Sequence, residues 1–145
     1  MRLLRRFGLY ALCLGTLVVV RVLLWLTRYQ RIMSWLVKPC QVKANPQRRS
    51  AVAATVRAVS RSAKLVPGAS CLTQTIACQA ILSWRSIPST IEIGVRYNED
   101  ETEQRFNAHA WLMWNGHAVL EAQEGNIDSF SIINSLPTPT REIVR

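Results

Sequence analysis

Cys71 is the residue of this chain that is best placed to act as a nucleophile. It follows the break Pro67–Ser70 and opens a predicted helix over Cys71–Trp84, with Ser70 as the capping residue. The free backbone N–H groups and the dipole at a helix N-terminus stabilise a thiolate, and the same groups can hold a developing oxyanion. Cys78 lies further along the same helix, where a cysteine is typically a small buried apolar residue.

A nucleophilic thiol needs a base, and the chain contains two histidines, His109 and His117. His109 lies in the middle of a predicted strand, Phe106–Trp114, between two alanines and close to Trp111. His117 borders the turn at Asn115–Gly116, where we expect solvent. We therefore predict that His109 is the base, with an ordinary structural role for this histidine as the alternative.

Two hairpin geometries decide whether Glu121 can orient His109. With a two-residue turn at Asn115–Gly116, Glu121 points to the other face of the sheet. With a three-residue loop, Glu121 lies directly opposite His109, at a Cβ separation of about 4.5–5.5 Å that permits a hydrogen bond. Both geometries stay open at this point, as does a solvated strand end for Glu121. Asp128 and Asn115 are weaker candidates for the orienting residue.

Charge is distributed unevenly along the chain. Lys and Arg total 18 against nine acidic residues, which gives a formal charge of +9 and suggests an anionic partner. No acidic residue precedes Glu92, whereas 13 of the 18 basic residues lie at or before Lys64. Because these basic residues accompany apolar helices, and no recognised DNA- or RNA-binding motif is visible, we expect no nucleic-acid partner.

The N-terminal region, residues 1–38, combines apolar and basic stretches. Phe7–Val20 is an uncharged run of 14 residues, short of the roughly 20 that a spanning helix needs unless Arg21 reaches the interface. Trp25–Val37 has the amphipathic pattern of a helix that lies beside anionic lipid. The uncharged run ends in Val18–Arg21, without the small-x-small cleavage site that ends a signal peptide. Packing on the protein's own core, contact with a membrane interface and a true span all stay open.

The remaining pattern predicts an α+β fold. A polar linker over 39–50 leads to a helix from Ala51, with Ser50 as its cap, and Cys71–Trp84 forms the next helix. Strands are predicted over Thr90–Tyr97, Phe106–Trp114 and His117–Glu121, as an antiparallel meander. We expect a core over 51–135 and a flexible tail over 136–145.

Cysteine use indicates a reducing compartment. The four cysteines, at positions 13, 40, 71 and 78, match no zinc-binding or CxxC spacing. A disulfide-stabilised scaffold normally has more cysteine in a shorter chain. We therefore expect reduced thiols, no metal, no cofactor and a cytoplasmic location, with membrane association left open.

Three ordered segments, PGASCLTQ (67–74), SIPSTIEIGV (86–95) and NAHAWLMWNG (107–116), carry a resemblance to a known family. Together they resemble the transglutaminase-like cysteine peptidases of lasso-peptide biosynthesis, in particular the short free-standing leader peptidases. The resemblance covers about residues 51–121. It implies a transglutaminase-like, papain-like core with N-terminal helices, a catalytic helix and a small antiparallel sheet.

The resemblance also implies a function and its residues. Cys71 matches the nucleophile and His109 the base, and Glu121 stands where the family usually has aspartate. The implied activity removes the leader peptide from a ribosomally made precursor, so that a lasso cyclase can close the ring. A small separate leader-binding protein is the implied partner. Another transglutaminase-like amide transfer and a non-catalytic, membrane-associated binding module are the alternatives.

Overall fold

The computed structural model describes residues 1–41, 45–97, 106–120 and 127–141, apart from the side chain of Arg2. Within these ranges it has helices and one antiparallel sheet, which confirms the α+β class. The helices are α1 (Arg2–Leu26), α2 (Tyr29–Leu36), α3 (Arg49–Ala63) and α4 (Cys71–Trp84). The strands are β1 (Thr90–Tyr97), β2 (Phe106–Trp114), β3 (His117–Leu120) and β4 (Ser131–Pro137).

Helix α1 is longer than the uncharged run that the sequence suggested. Leu3–Leu26 is 24 residues long with a mean hydropathy of 2.2, so by length and composition it could cross a membrane. One face of the helix nevertheless packs into the protein: Cys13, Leu17 and Val20 recur at helical spacing and are fully buried among residues of α3 and α4. The chain then turns at Thr27, so the amphipathic segment begins as the separate helix α2.

Helix α3 begins earlier than the predicted start at Ala51. A 3₁₀ turn over Pro46–Arg48 runs directly into the helix, and the side chain of Asn45 accepts a hydrogen bond from Gln47 N at 2.9 Å. Asn45 therefore caps the combined segment, and Ser50 lies inside the helix rather than at its start. The reason is local, because Pro46 fits the first position of such a turn.

Helix α4 is the central element of the core. It is the predicted helix Cys71–Trp84, with Ser70 as its N-cap, and its second half is buried on nearly all sides. The side chain of Gln79, fully buried, donates to the carbonyl oxygens of Ser89 at 3.0 Å and of Leu136 at 2.9 Å. These bonds tie the helix to the start of β1 and the end of β4.

The sheet has the strand order β3–β2–β1–β4, so the predicted three-strand meander is present and a fourth strand is added beside β1. The pleat gives the sheet two different faces. Ile91, Ala110 and Leu112 point into the core that they share with the helices. Trp111 and Glu92 point to the other face, where the indole N–H of Trp111 donates to Glu92 Oε2 at 2.9 Å.

The C-terminal segment differs from the flexible tail that we expected from residue 136. Leu136 and Pro137 end strand β4, and Thr138 Oγ1 donates to the carbonyl oxygen of Ser89 at 2.8 Å. Thr140 then forms an isolated bridge with Cys40. The polar, proline-containing sequence does not predict this strand, because its pairing partners lie far away in the chain. Residues 142–145 lie outside the described residues.

Candidate active site

Cys71 is the first residue of α4 and has the environment that the sequence predicted. The Ser70 hydroxyl accepts a hydrogen bond from Thr73 N at 3.3 Å and lies 3.1 Å from the Thr73 hydroxyl. Gln74 N donates to the carbonyl oxygen of Ser70 at 3.0 Å. The Cys71 side chain is partly exposed to solvent, whereas the other three cysteines are buried. Cys71 is therefore the cysteine that combines partial exposure with a position at the N-terminal amides of the helix.

The buried cysteines are poorly suited to nucleophilic chemistry. Burial raises the pKa of the Cys13 thiol from 9.0 to about 11, although the nearby Arg85 acts in the opposite direction. Burial also raises the pKa of Cys40 and of Cys78 above the ordinary value. Because the thiolate is the nucleophile, these groups are inert near neutral pH. Cys71 is thus the cysteine that accessibility favours.

The loop before α4 lies against Arg21, in the C-terminal part of α1. Gly68 has φ +71°, a left-handed conformation that suits glycine, and a Cβ at this position would lie 2.8 Å from Arg21 Nη2. Arg21 Nε is buried and has no hydrogen-bond partner within the part of the chain that the structure describes. Arg21 therefore brings a positive charge to the loop that leads into Cys71.

His109 lies on β2 opposite Gly94 of β1, within a group of aromatic side chains. Its ring centroid is 5.6 Å from that of Phe130 and 6.1 Å from that of Trp111. The guanidinium of Arg96 lies 5.0 Å from the centre of the Phe130 ring. Gly94 makes this arrangement possible, since a Cβ there would lie 2.7 Å from the Trp111 ring. The histidine is therefore half-buried beside aromatic side chains.

Cys71 and His109 are associated with opposite faces of strand β2. Ala110 faces the core and the helices, so the neighbouring side chain of His109 points to the opposite face, with Trp111. Helix α4, which begins with Cys71, packs on the face of Ala110. The structure therefore groups His109 with Trp111 and Phe130, and the pairing of Cys71 with His109 stays a prediction.

The β2–β3 hairpin has the two-residue turn rather than the three-residue loop. Asn115 and Gly116 have φ angles of 55° and 77°, and Trp114 pairs with His117. The register shifts by a bulge between Leu112 and Met113. The pairing of Met113 with His117 that would set Glu121 opposite His109 is therefore wrong. Glu121 itself lies outside the described residues, and its proposed role rests on the family resemblance.

The aromatic face also carries Glu92, which the sequence motifs did not single out. A hollow of about 590 Å³ is lined by Glu92, Trp111, His117, Asp128 and Phe130, among others. Glu92 alternates with Ile91 and Ile93 in β1, so the period-two pattern could have placed it on the His109 face. Among the residues that the structure describes, no group of three or more potential metal ligands occurs.

Comparison with known proteins identifies the family. A model of the transglutaminase-like superfamily matches residues 14–135, a range that includes most of α1 as well as the predicted core. No curated protein and no solved structure matches the chain. The match covers most of the sequence and spans the capped cysteine helix and the antiparallel sheet. The chain therefore belongs to the transglutaminase-like superfamily, which includes cysteine peptidases.

Proposed function

We propose that this protein is a cysteine peptidase that removes the leader from a ribosomally made lasso-peptide precursor, together with a leader-binding protein and a cyclase. The observation that carries the proposal is the partly exposed Cys71 at the capped start of α4, in a transglutaminase-like chain. The motifs around Cys71 and His109 supply the resemblance to leader peptidases.

The proposed reaction proceeds by acyl transfer to sulfur. The Cys71 thiolate attacks the carbonyl carbon at the junction of leader and core peptide, and the first-turn amides of α4 hold the oxyanion. The C–N bond then breaks, and protonated His109 donates its proton to the leaving amine of the core peptide. Water, deprotonated by His109, hydrolyses the thioester and releases the leader acid and the free thiol. Glu121 orients the imidazole in this scheme.

The step that most needs a direct test is the cooperation of Cys71 with His109, because their surroundings lie on opposite faces of β2. The protein is incubated with the precursor and the leader-binding protein, and the fragments are identified by mass spectrometry. We expect Cys71→Ala and His109→Ala each to abolish cleavage while binding of the partner persists. Cys40→Ala and His117→Ala are the matched controls and should keep the activity.

Two results would count against this function. An amine adduct in place of a hydrolysed junction would indicate amide transfer. Full cleavage by the Cys71→Ala protein would show that Cys71 is not the nucleophile. If Cys71→Ala loses activity and His109→Ala keeps it, the protein is a cysteine enzyme in which His109 is not the base.

The second candidate is a non-catalytic, membrane-associated binding module, which is favoured by the separation of His109 from the face that carries α4. In a module of this kind Cys71 and His109 are structural residues. Both alanine variants would then support maturation of the precursor as well as the parent chain does.

A further inference from the structure

The outer face of α1 is a continuous apolar surface. Its large side chains are between 44% and 84% exposed, and Gly8, Ala11 and Gly15 lie between them. The large members are Leu4, Phe7, Leu12, Val18, Val19, Val22, Trp25 and Leu26. From Phe7 to Leu26 this surface extends for about 28 Å at the rise of an α-helix. Soluble proteins rarely leave so long an apolar face in water, so a partner should cover it.

The opposite face of α1 holds the helix against the domain. Cys13, Leu17 and Val20 are fully buried in the core that α3 and α4 share, and Tyr10 accepts a hydrogen bond from Arg61 Nη1 at 3.1 Å. Arg21 is turned inward against Gly68, so it does not interrupt the outer face. A helix that spans a bilayer as a single segment would have to give up these contacts.

Basic and aromatic side chains border the two ends of the outer face. Arg5 and Arg6 are exposed at its start, and Arg28 and Arg31 are exposed where α1 turns into α2. At that turn Trp25, Arg28 and Arg31 contribute to a hollow of about 790 Å³. No acidic residue occurs in the chain before Glu92. Tryptophan beside arginine at the edge of an apolar helix face matches the headgroup level of an anionic membrane.

We infer that α1 lies in the plane of an anionic membrane surface, with its outer face in the acyl boundary, its flanking arginines on lipid phosphates and its inner face still packed on the domain. Buried apolar area and electrostatic attraction then both contribute to binding. The inference does not depend on the proposed peptidase activity, so the Cys71→Ala protein should bind membranes like the parent chain.

The test is flotation of the full chain with phosphatidylcholine vesicles, prepared with and without phosphatidylglycerol. We expect binding to the anionic vesicles, weaker binding at high salt, and release by alkaline carbonate. Val18→Glu should weaken binding roughly tenfold or more, since burying a valine is favourable by about that factor. Arg28→Gln with Arg31→Gln should weaken it by about 25-fold, at about fivefold for each arginine near the surface.

Matched controls separate the outer face from general effects. Ile133→Glu changes an exposed isoleucine on β4, and Arg48→Gln removes an exposed charge beside α3. Both should bind as the parent chain does, and circular dichroism should show that every variant is folded. The inference would be overturned by equal binding to neutral vesicles or by retention after carbonate. It would also be overturned by a soluble dimer that does not bind vesicles. Retention would indicate a true span, and the dimer would indicate that a second copy covers the face.

Discussion

The guanidinium of Arg21 occupies the space beside Gly68 that a side chain at position 68 would need. A Cβ there would meet Arg21 Nη2 at 2.8 Å and Nε at 3.0 Å. Arg21 belongs to α1, and Gly68 belongs to the loop that leads to Cys71 at the start of α4. Arg21 therefore packs a side chain of α1 against the loop that precedes the candidate nucleophile.

Gly68→Ala should destabilise the protein. The residue has φ +71°, where an L side chain costs about 1–2 kcal/mol, and the added methyl group must also displace Arg21. Urea unfolding measures the change in the free energy of unfolding. Gly15→Ala is the control, since no atom lies within 4 Å of its added Cβ and alanine favours a helix by up to about 1 kcal/mol. A Gly68→Ala protein as stable as the parent chain would contradict this contact.

Gly94→Ala should disturb the aromatic group around His109. The new Cβ would lie 2.7 Å from the Trp111 ring and 2.9 Å from Phe130 Cβ, so both side chains must move. We expect a loss of about 1–3 kcal/mol in the free energy of unfolding, typical of overpacking. The near-ultraviolet circular dichroism of the tryptophans should change as well. If the stability and the spectrum both matched those of the parent chain, the packing of Trp111 and Phe130 would not require glycine at position 94.

Thiol labelling of the folded protein should select Cys71. Its side chain is partly exposed, whereas Cys13, Cys40 and Cys78 are buried. Iodoacetamide at neutral pH should therefore modify one thiol rapidly, and peptide mapping should place the label on Cys71. The Cys71→Ala protein should label slowly under the same conditions, and unfolding should expose its three remaining thiols. Rapid labelling of Cys40 instead would contradict the packing of the C-terminal segment.

The buried thiols should make the fold sensitive to alkali. Burial raises the pKa of Cys13 from 9.0 to about 11, so the unfolded chain loses this proton at a lower pH than the folded chain. The stability that this difference contributes is complete below pH 9 and is lost as the pH rises through about 11. Urea unfolding at several alkaline pH values should show a falling midpoint. Cys13→Ala should reduce this dependence, with Cys40 and Cys78 still contributing, whereas Thr16→Ala, at another buried position of α1, should lower the midpoint without changing its dependence on pH.

Local signals in the sequence predicted much of the secondary structure. Ser70 after Pro67–Gly68 marked the start of α4, because a cap and the residues it serves lie within one helical turn. Alternation along Thr90–Tyr97 likewise marked β1 and separated its apolar side from the side that carries Glu92. These patterns depend on neighbouring residues, so they can be recognised without knowledge of the fold.

Local reasoning left the β2–β3 hairpin open between a two-residue turn and a three-residue loop. Asn115 tolerates the left-handed conformation, so Asn115–Gly116 forms a two-residue turn that suits the twist of the strands. The bulge between Leu112 and Met113 then shifts the pairing again. Counting along the sequence cannot anticipate a bulge, because its position depends on how both strands pack against the rest of the protein.

The sequence by itself determined the capped cysteine helix, the β1–β3 meander and the basic, apolar character of the N-terminal region. Only the tertiary structure decided that β4 pairs with β1, that His109 stands beside Phe130 and that α1 has one packed and one exposed face. Caps and alternation arise from contacts between residues close in the chain. Strand order and buried faces arise from contacts between distant segments, whose partners become identifiable only when the chain is folded.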